Sequence, residues 1–200
     1  MSVRYSLCIG LVVGGIGLLL SGQGMAFELS GSSWTYMPNP MGESWTICPE
    51  GMPGDAVQRI KDGSTAWNYE RFRFTFESEA CLSNRAYPVL NSVNQLDFGP
   101  LPLGVLANTV SFFFTDAPAQ VVECDMRFNS TLRWYTGTGT PPANQFDWWS
   151  VATHEMGHCL GLDHEDSVNP LPVMRTTLTA GETLRQLTAD DIAGRNALYG

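Results

Sequence analysis

All three histidines of this 200-residue chain fall in one short stretch, as His154, His158 and His164, and Glu155 follows the first of them. On a helix, residues four apart project from one face, one turn above the other. His154 and His158 can therefore reach a single ion at the ~2.0–2.1 Å of a zinc–imidazole bond. Gly161 tolerates a positive φ, so it can end the helix and turn the chain back, bringing His164 to the same ion. Three protein ligands leave a fourth position for water, the arrangement of a catalytic zinc rather than a structural one. Glu155 is not needed to bind the metal. Its useful chemistry is to take a proton from the metal's water. Two plainer readings compete. Lone histidines are usually core or surface residues, but three at these offsets with Glu and Gly in place do not fit that reading. An inert zinc site needs a fourth ligand, and Cys159 points about 100° around the helix from His158. Such a site would also leave Glu155 without a purpose.

These residues require a helix over Trp148–Leu160, stopped by Gly161. Leu187-Thr188-Ala189-Asp190-Asp191 opens a final helix running to about Tyr199, with Thr188 as N-cap and both aspartates as charges in its positive first turn. Asp55–Tyr69 is a further helix, with Asp55 as N-cap and Ala56, Ile60, Ala66 and Trp67 at near-helical spacing. Arg71–Glu77 alternates polar and aromatic residues and is the clearest strand. Further strands are expected at Ser33–Tyr36, Ser92–Phe98, Val110–Thr115 and Val121–Phe128, the last with Val122, Cys124, Met126 and Phe128 on one face. Met37–Gly54 is rich in Pro and Gly and reads as loop. Trp148-Trp149 reads as core packing, and Asn129-Ser130-Thr131 matches a glycosylation sequon. The order of elements is a mixed α/β plan, one twisted sheet backed by helices.

The chain carries 11 Lys+Arg against 20 Asp+Glu, a net charge of −9, which disfavours nucleic acid and anionic membrane surfaces as partners. Arg4, the apolar run Cys8–Leu20 and the small residues before Phe27 have the layout of a secretory signal peptide cut after Ala26. The run is too short for a bilayer core. The expected division is 1–26 as signal peptide, outside the fold, and 27–200 as the mature domain. That domain should be secreted or periplasmic, a monomer, without stable membrane association. Its four cysteines, an even count in an exported chain, suggest two disulfides. Three pairings are open, and Cys48–Cys81 with Cys124–Cys159 is favoured by their grouping along the chain.

The pattern from His154 to His164 resembles the metzincin metalloproteases, and within them the matrixins. Val173-Met174 is similar to that family's Met-turn beneath the zinc, with Met174 as its methionine. Leu187–Gly200 resembles the closing helix of matrixin catalytic domains, and Glu123–Asn129 the family's edge strand. The resemblance implies an α+β, zincin-like fold: a twisted mixed five-stranded sheet, an active-site helix and a C-terminal helix. It places an upper subdomain at about 27–161 and a lower one at about 162–200. It also implies a zinc-dependent endopeptidase acting on protein or peptide substrates. His154, His158 and His164 would hold one catalytic Zn²⁺ and Glu155 would act as the base, with substrate extended along 121–128 and Met174–Thr177 forming part of the pocket wall. The alternative is an inert secreted binding protein on the same scaffold. Every histidine is used by the motif, so a second, His-bound zinc has no ligands. Carboxylates and carbonyls leave calcium open, without assigned residues. No cysteine-switch segment of the P-R-C-G type is present, and Glu165 stands where matrixins usually have Ser or Thr.

Overall fold

A computed structural model of the chain describes residues 3–8, 12–13, 27–34, 43–83, 86–114 and 119–200. Its elements are β1 (Val3–Cys8), β2 (Val12–Val13), β3 (Ser32–Ser33), β4 (Ser44–Ile47), α1 (Ala56–Ala66), β5 (Thr75–Ser78), β6 (Asn94–Gly99) and β7 (Ala107–Phe114). There follow β8 (Ala119–Asn129), β9 (Trp134–Tyr135), β10 (Phe146–Asp147), α2 (Trp148–Leu160), β11 (Thr177–Leu178) and α3 (Ala189–Tyr199). The main sheet runs β1-β7-β8-β6-β4-β5, with β3 added to β8. Strands β4, β5, β6 and β8 are mutually parallel, while β7 runs antiparallel to β8. The expected five-stranded mixed sheet is β4–β8, and the α+β zincin-like class holds.

The apolar core lies between this sheet and the helices. Trp148 stacks on Phe128 with ring centroids 4.2 Å apart and planes 7° from parallel, so the reading of Trp148 as core holds. Trp149 is half-buried, under the guanidinium groups of Arg59 and Arg185. Helix α1 buries Ala56 and Ile60, and Asp55 stands at its N-cap without a side-chain cap bond. Both favoured disulfides are present. Cys48–Cys81 ties the end of β4 to the chain after β5, and Cys124–Cys159 ties β8 to the last turn of α2.

Several expectations need correction. The alternation at Arg71–Glu77 is real in burial, with Phe72 and Phe74 inward and the residues between them exposed. Ladder pairing with β4 nonetheless begins only at Thr75, because β4 itself starts at Ser44. That strand lies inside the stretch read as loop; flanking Pro and Gly masked the alternating burial of Trp45 and Ile47. Val121, not Val122, joins Cys124, Met126 and Phe128 in the core. A bulge opposite Phe112 and Phe113 inserts Val122 and shifts the facing of the chain beyond it. Asn129 is fully buried, and its amide donates to Val105 O (2.7 Å), so this sequon is part of the core and not a surface acceptor.

At the N-terminus, β1 joins the sheet beside β7 and β2 pairs with β11. The signal-peptide cut after Ala26 lies outside the described residues, as do Thr35 and Tyr36 of the expected first strand and Thr115 of a later one.

Candidate metal centre

Helix α2 has the boundaries its sequence predicts, and both ends are built to hold it. Asp147 is the N-cap: its carboxylate accepts from Ser150 N (3.0 Å) and Ser150 Oγ (2.6 Å). It is also paired on both oxygens with Arg185, at 2.8 and 2.6 Å. At the other end Gly161 takes φ 111°, and Leu162 N–H closes back onto Gly157 O, the bond that stops a helix at a left-handed glycine. The last carbonyls would otherwise be orphaned. Trp34 Nε1–H donates to Cys159 O (2.7 Å) and Tyr199 Oη–H to Leu160 O (2.6 Å), so β3 and α3 both brace this terminus.

The three histidines come together as their spacing predicts. His164 Nε2 lies 3.2 Å from His154 Nε2 and 3.2 Å from His158 Nε2. Two nitrogens bound to one zinc at ~2.0–2.1 Å with near-tetrahedral angles lie about 3.3 Å apart, so the spacing fits that ion. The other ring nitrogens determine which tautomer is present. His154 Nδ1 lies 2.8 Å from Val173 O and His158 Nδ1 lies 2.9 Å from Leu162 O. A carbonyl can only accept, so both Nδ1 atoms carry the proton and both Nε2 atoms offer bare lone pairs. Bare lone pairs this close repel unless a cation lies between them. Such outer hydrogen bonds are the usual means of orienting metal-ligating imidazoles.

Burial and mutual repulsion hold these rings neutral. Burial first, then the neighbouring His158 and His164, put the His154 pKa well below the ordinary imidazole value. Burial and His164 lower that of His158 to about 3. Burial also lowers that of His164, against the raising effect of Asp163 and Asp166. Neutral imidazole is the form that binds a metal.

Glu155 is fully buried on the same helix. Thr109 Oγ–H, from β7, donates to its Oε2 at 2.6 Å. Met174 lies beneath the site. A Cβ on Gly157 would stand 2.3 Å from Met174 Sδ and 2.8 Å from Trp67 Cζ2, so only glycine admits the methionine and the indole here. Asp191 holds the turn that carries Met174. Its carboxylate accepts from Val173 N (3.0 Å) and Met174 N (3.2 Å) while also completing a capping box with Thr188. Asp191 is therefore more than the helix-terminal charge its position suggests. Thr109 and Asp191 are the residues that sequence reasoning missed. Strand alternation marks Thr109 only as a polar residue, and the partner of Asp191 lies 18 residues away in the chain.

One site expectation is overturned. The stretch 121–128 cannot receive a substrate strand, because β8 is interior: β7 pairs along its length on one side, and β6 and β3 on the other. Its acidic residues are used in folding. Glu123 accepts from the backbone of Asn91 and Ser92, and Asp125 from Val89 (3.0 Å) and Gln95 (3.3 Å). The strand that touches Glu155 and lies outward of β8 is β7.

The family model of the matrixins matches residues 102–200. Human matrix metalloproteinase-20 is 35% identical over 100 residues, half of this chain and 18% of that protein. Interstitial collagenase from Oryctolagus cuniculus is 25% identical over 177 residues, 75% of this chain and 36% of that protein. Human matrilysin is 35% identical over 94 residues, 46% of this chain and 32% of that protein. The chain thus matches no more than about a third of the length of these relatives.

Proposed function

We propose that this matrixin-like chain is an exported zinc-dependent endopeptidase, with residues 1–26 as its leader and 27–200 as its catalytic domain. The observation that carries the reading is the convergence of three imidazoles, two of them tied through Nδ1 to backbone carbonyls so that Nε2 faces inward. His154, His158 and His164 are the ligands for one Zn²⁺. Zn²⁺ held there would supply a Lewis acid for a scissile carbonyl and for a water. Glu155 is the carboxylate placed to hold a proton as general base and to return it to a leaving amine. Thr109 fixes the carboxylate that does so, and burial keeps the ligand rings unprotonated. Met174 supports the ligands from below. The substrate is a protein or peptide, lying extended along β7 with residues 174–177 as part of the opposite wall. The two disulfides suit an oxidising compartment, secreted or periplasmic.

The test is zinc content together with cleavage of casein, with and without a chelator. One zinc per chain and chelator-sensitive cleavage are expected. Replacing Glu155 by Ala should keep the zinc and lower hydrolysis by several orders of magnitude, and near wild-type turnover in that variant would refute the assigned role. Bound zinc without cleavage of casein or a peptide library would favour an inert binding scaffold.

A further inference from the structure

Residues 136–140 belong to no helix or strand, and their carbonyl oxygens converge on one side chain. Arg185 Nη1–H donates to Thr138 O at 2.6 Å. Arg185 Nη2 has three oxygens around it: Asp147 Oδ1 at 2.6 Å, Gly139 O at 2.9 Å and Gly137 O at 3.3 Å. Its Nε–H donates to Asp147 Oδ2 at 2.8 Å. The guanidinium lies 4.9 Å from the ring centroid of Trp149, the Asp147 side chain is fully buried, and that of Arg185 is 14% exposed. Three backbone carbonyls and a carboxylate around one positive charge are the donor set of a calcium site. The same carboxylate opens helix α2, accepting from Ser150 N and Ser150 Oγ. Ser150 Oγ in turn accepts from Leu184 N at 2.6 Å, next to Arg185 in the chain. His154 and Glu155 follow one turn further along this helix.

We propose that Arg185 is a built-in cation: its guanidinium fills an oxygen cage with the chemistry of a calcium site, and through Asp147 it positions the helix that carries His154 and Glu155. The three oxygens around Nη2 need draw in by no more than about 0.7 Å to reach the ~2.3–2.6 Å of calcium–oxygen bonds. Two of the three come from glycines, in a segment free of regular hydrogen-bonded structure that would resist the shift. Without a cation, the buried Asp147 carboxylate would face three carbonyls of its own polarity, and a buried charge stripped of its partner is strongly destabilising. A side-chain charge differs from a bound ion in that dilution or chelation cannot remove it. The start of α2 is therefore held at any calcium concentration. Arg185 is a positioning residue for the metal centre, and its effect on turnover rests on the proposed peptidase reading. The cage and its ion preference do not.

The test compares the full chain with Arg185→Ala, both with zinc bound and in calcium-free buffer. The variant should lose roughly 5 °C or more of Tm. Calcium chloride at about 5 mM, above the range of weak extracellular calcium sites, should restore about half of that loss or more. Magnesium chloride at the same concentration should not, because its smaller ion demands a tighter octahedral shell. Zinc affinity should fall and recover together with the Tm, and the parent should respond to neither salt. In the double variant Asp147→Asn/Arg185→Ala, which lacks the carboxylate of the cage, calcium should restore nothing. Arg185→Gln keeps most of the stem and offers a neutral oxygen. It should show the same selective response to calcium, and it decides the question where the alanine chain does not fold. An unchanged Tm, a loss without calcium-selective recovery, or equal recovery in the double variant would overturn the inference and leave Arg185 an ordinary ion pair. Calcium-selective recovery with no cleavage of casein by any chain would support the cage and count against the peptidase reading.

Discussion

At the scale of single residues, the site depends on which proton sits where. The depressed pKa values of the three histidines mean that the folded chain keeps these rings neutral where free imidazoles, near 6.5, would be charged. Protons therefore compete with zinc weakly in the folded state. Between pH 7 and pH 5, zinc affinity should fall by less than about tenfold, far less than three unperturbed imidazoles would allow. Equilibrium dialysis at the two pH values measures this. The linkage to folding has a definite sign. The unfolded chain takes up these protons below about pH 6.5 and the folded one does not, so the contribution of the histidines to stability is complete above that pH and is lost as pH falls. Asp125 acts in the opposite sense. Burial raises its pKa to about 7, so its share is lost as pH rises from the ordinary carboxyl range toward 7. Thr109 is open to a kinetic test. Thr109→Ala removes the hydroxyl that holds Glu155 and should lower kcat by roughly tenfold with little change in KM, about the worth of one hydrogen bond to a charged group. Thr109→Ser should restore most of the rate, and an unchanged kcat in the alanine variant would remove Thr109 from the machinery.

At the scale of elements, helix α2 is fastened by its neighbours more than by its own composition. Its N-terminus depends on Asp147 and Arg185, its C-terminus on Trp34 and Tyr199, and the turn below it on Asp191. Asp191 is buried and satisfies donors from two segments at once. Asp191→Ala leaves several buried N–H groups without partners and should destabilise the chain by about 3 kcal/mol, given about 1–3 kcal/mol for each stranded group. Denaturant unfolding reads that loss. Zinc affinity should drop with it, because the Val173 carbonyl that orients His154 belongs to the freed turn.

At the scale of the whole molecule, two covalent ties and one sheet hold the site to the rest of the chain. The bridges close segments of 33 and 35 residues. On the chain-entropy account each stabilises by about 4 kcal/mol. Reduction should therefore lower the Tm by roughly 8–15 °C per bridge for a chain of this size, as differential scanning calorimetry in reductant would show. The Cys124–Cys159 bridge is the more telling one for function, because it joins the central strand β8 to the helix carrying His154 and His158. Its loss should weaken zinc retention as well as the fold. No helix among the described residues is long and apolar enough to cross a membrane.

The convergence of the three histidines and the helix that carries two of them could be read from the chain itself, because each rests on local spacing, while the favoured cysteine pairing, which the structure shows, rested on grouping along the chain. An i, i+4 pair with a helix-stopping glycine is geometry within three turns. Thr188 with Asp191 is a cap within four residues, and it forms as read. What only the tertiary structure decided is long-range and depends on what stands opposite. Alternation in Val121–Phe128 is the same whether a strand lies inside or at the rim of a sheet, so its interior place came from the pairing alone. The bulge at Val122, the strand hidden at Ser44–Ile47, the grip of Thr109 on Glu155 and the pairing of Val3–Cys8 with β7 share that origin. Each is a contact between residues far apart in the chain, and a one-dimensional pattern carries no term for its partner.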